Sequence, residues 1–135
     1  MPSIQWEEKY SVNIEVLDEH HKRIFAILAK LFDELGKQRS KEVLRATLLD
    51  LKQYAVDHFA AEEIFMKQYG YPGYAKHKKE HETFREKVEA FQLDFEAGRT
   101  TVSVDLINFM TAWLDHHILQ IDKAYAPFLN DKGIC

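Results

Sequence analysis

The segment 40–69 reads SKEVLRATLLDLKQYAVDHFAAEEIFMKQY and is the longest amphipathic stretch of the chain. Its apolar residues recur with the 3.6-residue period of an α-helix: Leu44, Leu48, Leu51, Ala55, Phe59 and Phe65. His58 and Glu62 are four residues apart, so they share one face of this helix. A long helix with an imidazole and a carboxylate next to its apolar residues indicates a helical bundle with polar chemistry inside it.

Three further stretches have the same period, and they predict helices at about 18–36, 73–97 and 102–126 beside the one at 40–69. Asp18 is the predicted N-cap of the first helix and Gly36 its end. Short connections between four helices predict an all-α, up-down-up-down antiparallel four-helix bundle, and 135 residues make one domain over 1–135.

Residues 1–17 are predicted to form an extended N-terminal arm. Apolar residues are spaced along it: Ile4, Trp6, Tyr10, Val12, Ile14 and Val16. Such spacing fits an edge strand. Because the sequence has no second strand to pair with it, an arm packed across the bundle is the preferred interpretation.

The composition excludes several classes of protein. The formal net charge of −4 makes nucleic acid an improbable partner. No apolar run is long enough for membrane insertion, and the first residues lack the apolar core of a secretory signal. Cys135 has no second cysteine to pair with. These features predict a cytoplasmic protein, and its charged, mixed outer faces predict a monomer.

The seven histidines fall in four clusters, one in each predicted helix: His20 and His21, His58, His77 and His81, and His116 and His117. Relative to the mean apolar direction, His21 lies at roughly 40° and His20 at roughly 60° on the other side. In the last helix His117 lies within roughly 20° and His116 at about 120°. The predicted inward set is therefore His21, His58, His77, His81 and His117.

Asp122 fits this pattern least well. It follows His117 by five residues, which turns it roughly 140° away on a regular helix. It either reaches inward from the edge of the face or lies where the helix is distorted, and periodicity alone does not select it.

Five inward imidazoles with a buried Glu62 predict a metal centre, because an unpaired buried carboxylate is costly. A mixed imidazole and carboxylate set suits iron, copper, nickel or zinc, and so many donors divide naturally over two ions. His20 and His116 are predicted to lie outside the ligand set. A solvated face is predicted for Glu63, Lys78, Lys79, Glu80, Glu82 and Glu86. The Glu-x-x-His spacing of carboxylate-rich di-iron proteins is absent.

The residues resemble the hemerythrin family, and specifically its single-domain bacterial members. The resemblance covers nearly the whole chain. It rests on Trp6 and Tyr10, LDEHHKRIF at 17–25, HFAAEEIFM at 58–66, Tyr71-Pro72, HKKEH at 77–81, WLDHH at 113–117 and Asp122-Lys123. The family often has Gln where this chain has His20.

The resemblance implies two iron ions bridged by an oxo or hydroxo group and by the carboxylates of Glu62 and Asp122. His77, His81 and His117 would hold one iron, and His21 and His58 the other, which keeps one open position. O2 would bind there as peroxide. The residues within one helical turn of these histidines predict an apolar O2 pocket formed by Ile24, Phe25, Phe59, Trp113, Leu114 and Ile118.

The predicted function is reversible O2 binding for carriage, storage or delivery, without catalysis, with a protein as a possible recipient of O2. One alternative is a di-iron oxidase, a peroxidase or a nitric-oxide-handling enzyme. No Tyr, Ser or further carboxylate is evidently placed as an acid or base beside the open iron, which disfavours it. The other alternative is an O2 or iron sensor that acts through a partner.

Overall fold

Helices account for most of the computed structural model, which describes residues 5–35, 37 and 40–135. Three are α1 (Glu15–Asp33), α2 (Ser40–Gln68) and α3 (Tyr74–Glu96). The last helical rod has three consecutive parts: α4 (Val102–Trp113), a π-helical segment (Leu114–Asp122) and α5 (Lys123–Asp131). Both α1 and α3 pack against α2 and against α4. The predicted all-α four-helix bundle is confirmed.

The N-terminal arm is irregular rather than a strand. In its described part it contains one 3₁₀ turn (Glu8–Tyr10), and the side chains of Tyr10, Val12 and Ile14 are buried. Val16 is 45% exposed, so the prediction that it packs against the bundle with the other apolar residues of the arm is wrong, because it lies on the outer side of α1. Ile4 lies outside the described residues.

Asp18 does not cap α1, contrary to the sequence prediction. The helix begins at Glu15, three residues earlier, and Asp18 lies in its first turn. There its carboxylate accepts hydrogen bonds from the Ser11 hydroxyl, at 2.5 Å, and from the Val12 N–H, at 2.8 Å. Asn13 turns the chain between them with a φ of +56°. Asp18 therefore ties the arm to the helix. The predicted end of this helix, Gly36, lies outside the described residues.

Gly70 and Gly98 end α2 and α3. Both have positive φ, at +70° and +82°, where a side chain would be strained. After Gly70 the Tyr71 N–H donates to the Met66 carbonyl at 2.8 Å, which is the six-to-one hydrogen bond of a Schellman motif. These sharp endings allow short connections, and short connections make neighbouring helices antiparallel.

The described residues form two apolar clusters in the interior. The larger spreads through most of the bundle and includes Ile24, Phe59, Phe84, Met110 and Ile118. The smaller lies under the arm and includes Val12, Leu17, Met66, Tyr125 and Leu129. On α1, α2 and the last rod, buried polar residues lie in sequence between members of the two clusters. The fold therefore holds a polar layer between two apolar cores. No helix in the described part of the chain combines the length and apolarity of a membrane span.

Candidate metal centre

The polar layer holds seven side chains that come from α1, α2, α3 and the π-helical segment. Each is at most 2% exposed. They are His21, His58, Glu62, His77, His81, His117 and Asp122. These are the seven residues that the sequence analysis named as ligands, and the structure brings all of them together. Their ligand atoms form two groups in which every atom lies within 4.8 Å of the others.

Three imidazoles surround the first group. The Nε2 atoms of His77 and His117 lie 2.9 Å and 3.0 Å from Oδ1 of Asp122. Nε2 of His81 lies 3.2 Å from Oε1 of Glu62. This group has five candidate ligands, three nitrogen and two oxygen.

Two imidazoles surround the second group. Nε2 of His21 lies 3.0 Å from Oδ2 of Asp122, and Nε2 of His58 lies 3.1 Å from Oε1 of Glu62. The two Nε2 atoms are 3.0 Å apart. Both carboxylates belong to both groups. Asp122 presents one oxygen to each side, and the second group has one imidazole fewer than the first.

The donor set of these groups fits metal ions. Several of the atoms have no hydrogen-bond partner although they are buried: Oε1 of Glu62, both carboxylate oxygens of Asp122, and Nε2 of His77, His81 and His117. Buried polar atoms are almost always satisfied in native proteins. Buried lone pairs that converge on one point are satisfied by cations, and imidazole with carboxylate is a donor set that iron accepts. The residues present therefore fit a pair of ions that share Glu62 and Asp122.

The π-helical segment explains how Asp122 reaches the layer. Its hydrogen bonds run from each residue to the fifth residue along, so its turns are wider than those of an α-helix. A residue five positions after His117 then returns to nearly the same face, and both residues are buried. The sequence left two possibilities for Asp122, a reach inward from the edge of a regular helix or a distorted helix. The structure shows the distorted helix. Such distortions are frequent at functional sites.

The electrostatics of the layer follow from burial and from the two carboxylates. Burial lowers the pKa of His58 to about 4, although Glu62 opposes this shift. Burial also disfavours charge on His77, but the carboxylates of Asp122 and Glu62 outweigh it and raise the pKa of His77 to about 10. The surrounding imidazoles hold the pKa values of both carboxyl groups below their usual range despite burial. Both carboxylates are therefore ionised and available as ligands.

Acidic side chains lie on the outer side of some of the imidazoles. Nδ1 of His81 lies 2.9 Å from Oε2 of Glu63, and Oε1 of Glu80 lies 3.3 Å from Nε2 of His116 and 3.8 Å from Nδ1 of His117. The prediction that Glu63 and Glu80 belong to a solvated face is wrong, since their side chains are 17% and 29% exposed. Glu63 follows the buried Glu62 and Glu80 precedes the buried His81, so both side chains lie at the edge of the bundle interior.

His20 has a partner of a different kind. It is half-buried, and its Nδ1 lies 2.9 Å from Nδ1 of His58. His20 and His116 are outside both ligand groups.

Two buried tyrosines adjoin the layer, and the sequence analysis missed both. The Tyr125 hydroxyl donates to Oε2 of Glu62 at 2.5 Å. The Tyr54 ring stacks on the His58 ring with centroids 4.9 Å apart. Burial raises the pKa of both phenols. The sequence prediction said that no tyrosine is evidently placed as an acid or base beside the open iron, and it did not anticipate the Tyr54 ring against His58. Their helical spacing from His58 and Asp122 was the available signal, but it is also the spacing of ordinary core aromatics.

Aromatic rings also cover imidazoles of the three-histidine group. Phe59 stacks on His81 with ring centroids 3.8 Å apart, and Trp113 stacks on His117 at 4.1 Å. All six residues predicted to form an O2 pocket are buried members of the larger apolar cluster: Ile24, Phe25, Phe59, Trp113, Leu114 and Ile118. Apolar side chains therefore bound the polar layer on the side of the larger apolar cluster.

Comparisons with known proteins agree with this architecture. The family model described as the hemerythrin HHE cation binding domain matches residues 12–129. A bacteriohemerythrin of Methylococcus capsulatus is 34% identical over 122 residues, which cover 90% of this chain and 92% of the relative. A myohemerythrin of Sipunculus nudus is 35% identical over 120 residues, 89% of this chain and 88% of the relative. A crystal structure of wild-type hemerythrin superposes with a TM-score of 0.80 at 32% identity, covering 93% and 96% of the two chains.

Proposed function

The chain belongs to the hemerythrin family, and from this premise and the geometry of the polar layer we propose that it binds O2 reversibly at a non-haem di-iron centre. The observation that carries the proposal is the unequal division of five imidazoles around two shared carboxylates. A site built only to retain metal would gain from a full set of ligands on both ions. One ligand fewer on one side provides a coordination position for a small molecule.

We assign His77, His81 and His117 to one iron, and His21 and His58 to the other, with Glu62 and Asp122 shared. When bound, the two irons supply the two electrons that reversible O2 binding requires. The support for this assignment is the pair of ligand groups, with their buried and unpartnered donor atoms.

The protein's first contribution to this function is to neutralise part of the charge of the metal pair. Five neutral imidazoles and two carboxylates offset about two of the positive charges of a metal pair, which limits the cost of burying it. The donors come from every helix of the bundle, so the folded chain presents them together. This preorganisation lets the chain hold both ions without a large rearrangement.

The second part is the exclusion of water. We propose that Ile24, Phe25, Phe59, Trp113, Leu114 and Ile118 line the O2 position. All six are at most 7% exposed. Apolar side chains admit O2, but they do not stabilise the charged products through which a reduced centre is lost to oxidation. Reversible binding needs this protection, whereas a hydrolytic or oxidative enzyme needs access for its substrate.

One experiment tests the proposal directly. Purified protein is loaded anaerobically with ferrous iron, the iron per chain is measured, and the visible spectrum is followed through cycles of air and argon. Two irons per chain and an absorption band that appears in air and disappears under argon support the proposal. His58→Gln should abolish the band, whereas His116→Gln should keep it because His116 is outside both ligand groups. One metal per chain, or a band that decays in a single cycle, would refute O2 carriage.

A second candidate function is favoured by one observation. Tyr54 places a buried phenol ring against His58, on the two-histidine side, and a phenol can give an electron to an oxidised centre. The chain would then be an oxidase or a peroxidase. The two functions differ in turnover, since an enzyme consumes O2 or peroxide continuously with a reductant present, while a carrier takes up O2 once per centre.

We further propose that the chain acts as a cytoplasmic monomer that passes O2 to a protein recipient. The mixed charges of its exposed faces and its net charge of −4 support a monomer and disfavour nucleic acid as a partner. Light scattering at several concentrations tests the oligomeric state, and a dimer at low concentration would contradict it.

A further inference from the structure

His20 makes a contact that the ligand assignment leaves unexplained. Its Nδ1 lies 2.9 Å from Nδ1 of His58, and the two rings meet edge to face with centroids 5.1 Å apart. On the far side of the His58 ring, Nε2 faces Oε1 of Glu62 at 3.1 Å. His20 is therefore hydrogen-bonded to the nitrogen of His58 that points away from the candidate metal.

We propose that His20 is a positioning residue for the two-histidine side of the centre, where it accepts a hydrogen bond from Nδ1–H of His58 and so keeps Nε2 of His58 turned toward Glu62. The inference rests on the proposed assignment of His58 as a ligand. It concerns the orientation of one ring and the tautomer of that ring.

The direction of the hydrogen bond follows from the chemistry of neutral imidazole, which carries one proton on one of its two nitrogens. A nitrogen that binds metal must offer its lone pair, so the proton of His58 belongs on Nδ1. Nδ1 then donates, and Nδ1 of His20 must accept. His20 carries its own proton on Nε2.

Two other imidazoles have an anion near the outer nitrogen, and for His81 that anion is within hydrogen-bond distance. Glu63 lies 2.9 Å from Nδ1 of His81, and Glu80 lies 3.8 Å from Nδ1 of His117. A carboxylate acceptor makes an imidazole a stronger electron donor to its metal, and a neutral acceptor does so less. His20 therefore orients His58 without adding negative charge on the side that has the open position.

The alternative role for His20 is that of a ligand in place of His21. The geometry disfavours it, because His21 is fully buried with Nε2 at 3.0 Å from Oδ2 of Asp122. His20 is only half-buried, and it meets the outer nitrogen of His58. The two adjacent histidines thus serve the same partner ring from opposite sides, since His21 lies near Nε2 of His58 and His20 near Nδ1.

The test uses ¹⁵N-labelled protein loaded with zinc, which is diamagnetic. A scalar coupling between Nδ1 of His20 and Nδ1 of His58 arises only across a hydrogen bond, and we expect to detect it. Two variants are then compared for the rate at which a chelator removes zinc. His20→Leu removes the acceptor and should release one of the two zinc ions about tenfold faster. His20→Gln keeps an acceptor in its amide oxygen and should release zinc at nearly the rate of the unaltered protein.

His116→Gln is the matched control, since His116 also precedes a buried histidine but contacts Glu80 rather than the outer nitrogen of a ligand. It should leave both zinc ions in place. Absence of the coupling overturns the proposal, and so does equal zinc release by the Leu and Gln variants. Binding of fewer than two zinc ions by the unaltered chain would contradict the two-metal assignment instead. In that case the coupling, measured on the same sample, still decides whether His20 holds His58.

Discussion

Replacing Tyr125 by Phe removes one oxygen atom from the interior and leaves Oε2 of Glu62 without its donor. Both side chains are fully buried, and the hydroxyl-to-carboxylate distance is 2.5 Å. Glu62 stays ionised because the imidazoles around it, His58 foremost, hold the pKa of its carboxyl group well below the usual range, although burial opposes this shift. The lost bond is therefore one to a charged acceptor, which water cannot easily replace.

Hydrogen bonds to charged groups contribute about 1.5–3 kcal/mol, and the extra apolar character of Phe recovers a small part. We expect Tyr125→Phe to lower the free energy of unfolding by about 2 kcal/mol. In a domain of this size that corresponds to a fall in Tm of about 8 °C. The assay is urea and thermal unfolding of the metal-free protein at pH 7, so that metal affinity does not enter the result.

Tyr54→Phe is the matched control. Tyr54 is also buried, and among the described residues no carboxylate accepts a hydrogen bond from its hydroxyl. Losing that hydroxyl should change the free energy of unfolding by less than about 0.5 kcal/mol. Equal losses in the two variants would show that the Tyr125–Glu62 bond contributes nothing specific, and the argument from a charged acceptor would fail.

Three further results are expected. Leu114→Ala should open the apolar boundary to water and speed loss of the O2-binding form in air, measured as decay of the visible band; an unchanged rate would remove Leu114 from the pocket. Asp122→Asn should reduce metal content below two ions per chain by elemental analysis, whereas Asp115→Asn on the exposed face should not. The metal-free protein should be most stable near pH 6.5. Below pH 6.5 the unfolded chain protonates His58, whereas the folded chain, in which the pKa of His58 is about 4, does not. This difference lowers the free energy of unfolding by about 3 kcal/mol between pH 6.5 and 4. Above pH 6.5, the raised pKa of His77, about 10, makes stability fall as the pH rises. Urea unfolding across this range, with a flat profile as the contrary result, checks both signs.

The bundle was predictable because its helices are long and strongly periodic. The same periodicity separated the two members of each adjacent histidine pair. His21 and His117 are buried, whereas His20 is half-buried and His116 is exposed. The angles of a regular α-helix hold throughout α1. They still hold at His117 because it lies only three residues into the π-helical segment, where the departure from the α-helix has not yet accumulated.

Helical periodicity no longer places side chains where the backbone departs from the α-helix. Asp122 enters the polar layer through the π-helical segment, and a period of 3.6 cannot place it. Asp18 was predicted as an N-cap, but it ties the arm to α1 through Ser11 and Val12. These contacts exist only in the folded arm, so periodicity within α1 does not reveal them. Glu63 and Tyr125 were missed for the same kind of reason. Their hydrogen bonds cross between helices, and spacing within one helix does not report them.

The stacking of Trp113 on His117 also gives the molecule an optical property. The chain has two tryptophans, Trp6 and Trp113, and the indole of Trp113 lies face to face with a candidate ligand ring, 4.1 Å away and inclined by 11°. Metal bound to His117 would change the electronic surroundings of this indole and with them its fluorescence emission. In a Trp6→Phe background, the fluorescence of Trp113 should therefore report the occupancy of the centre without any added dye. The side chain that shields the site from water is therefore also an intrinsic fluorescent probe of metal binding.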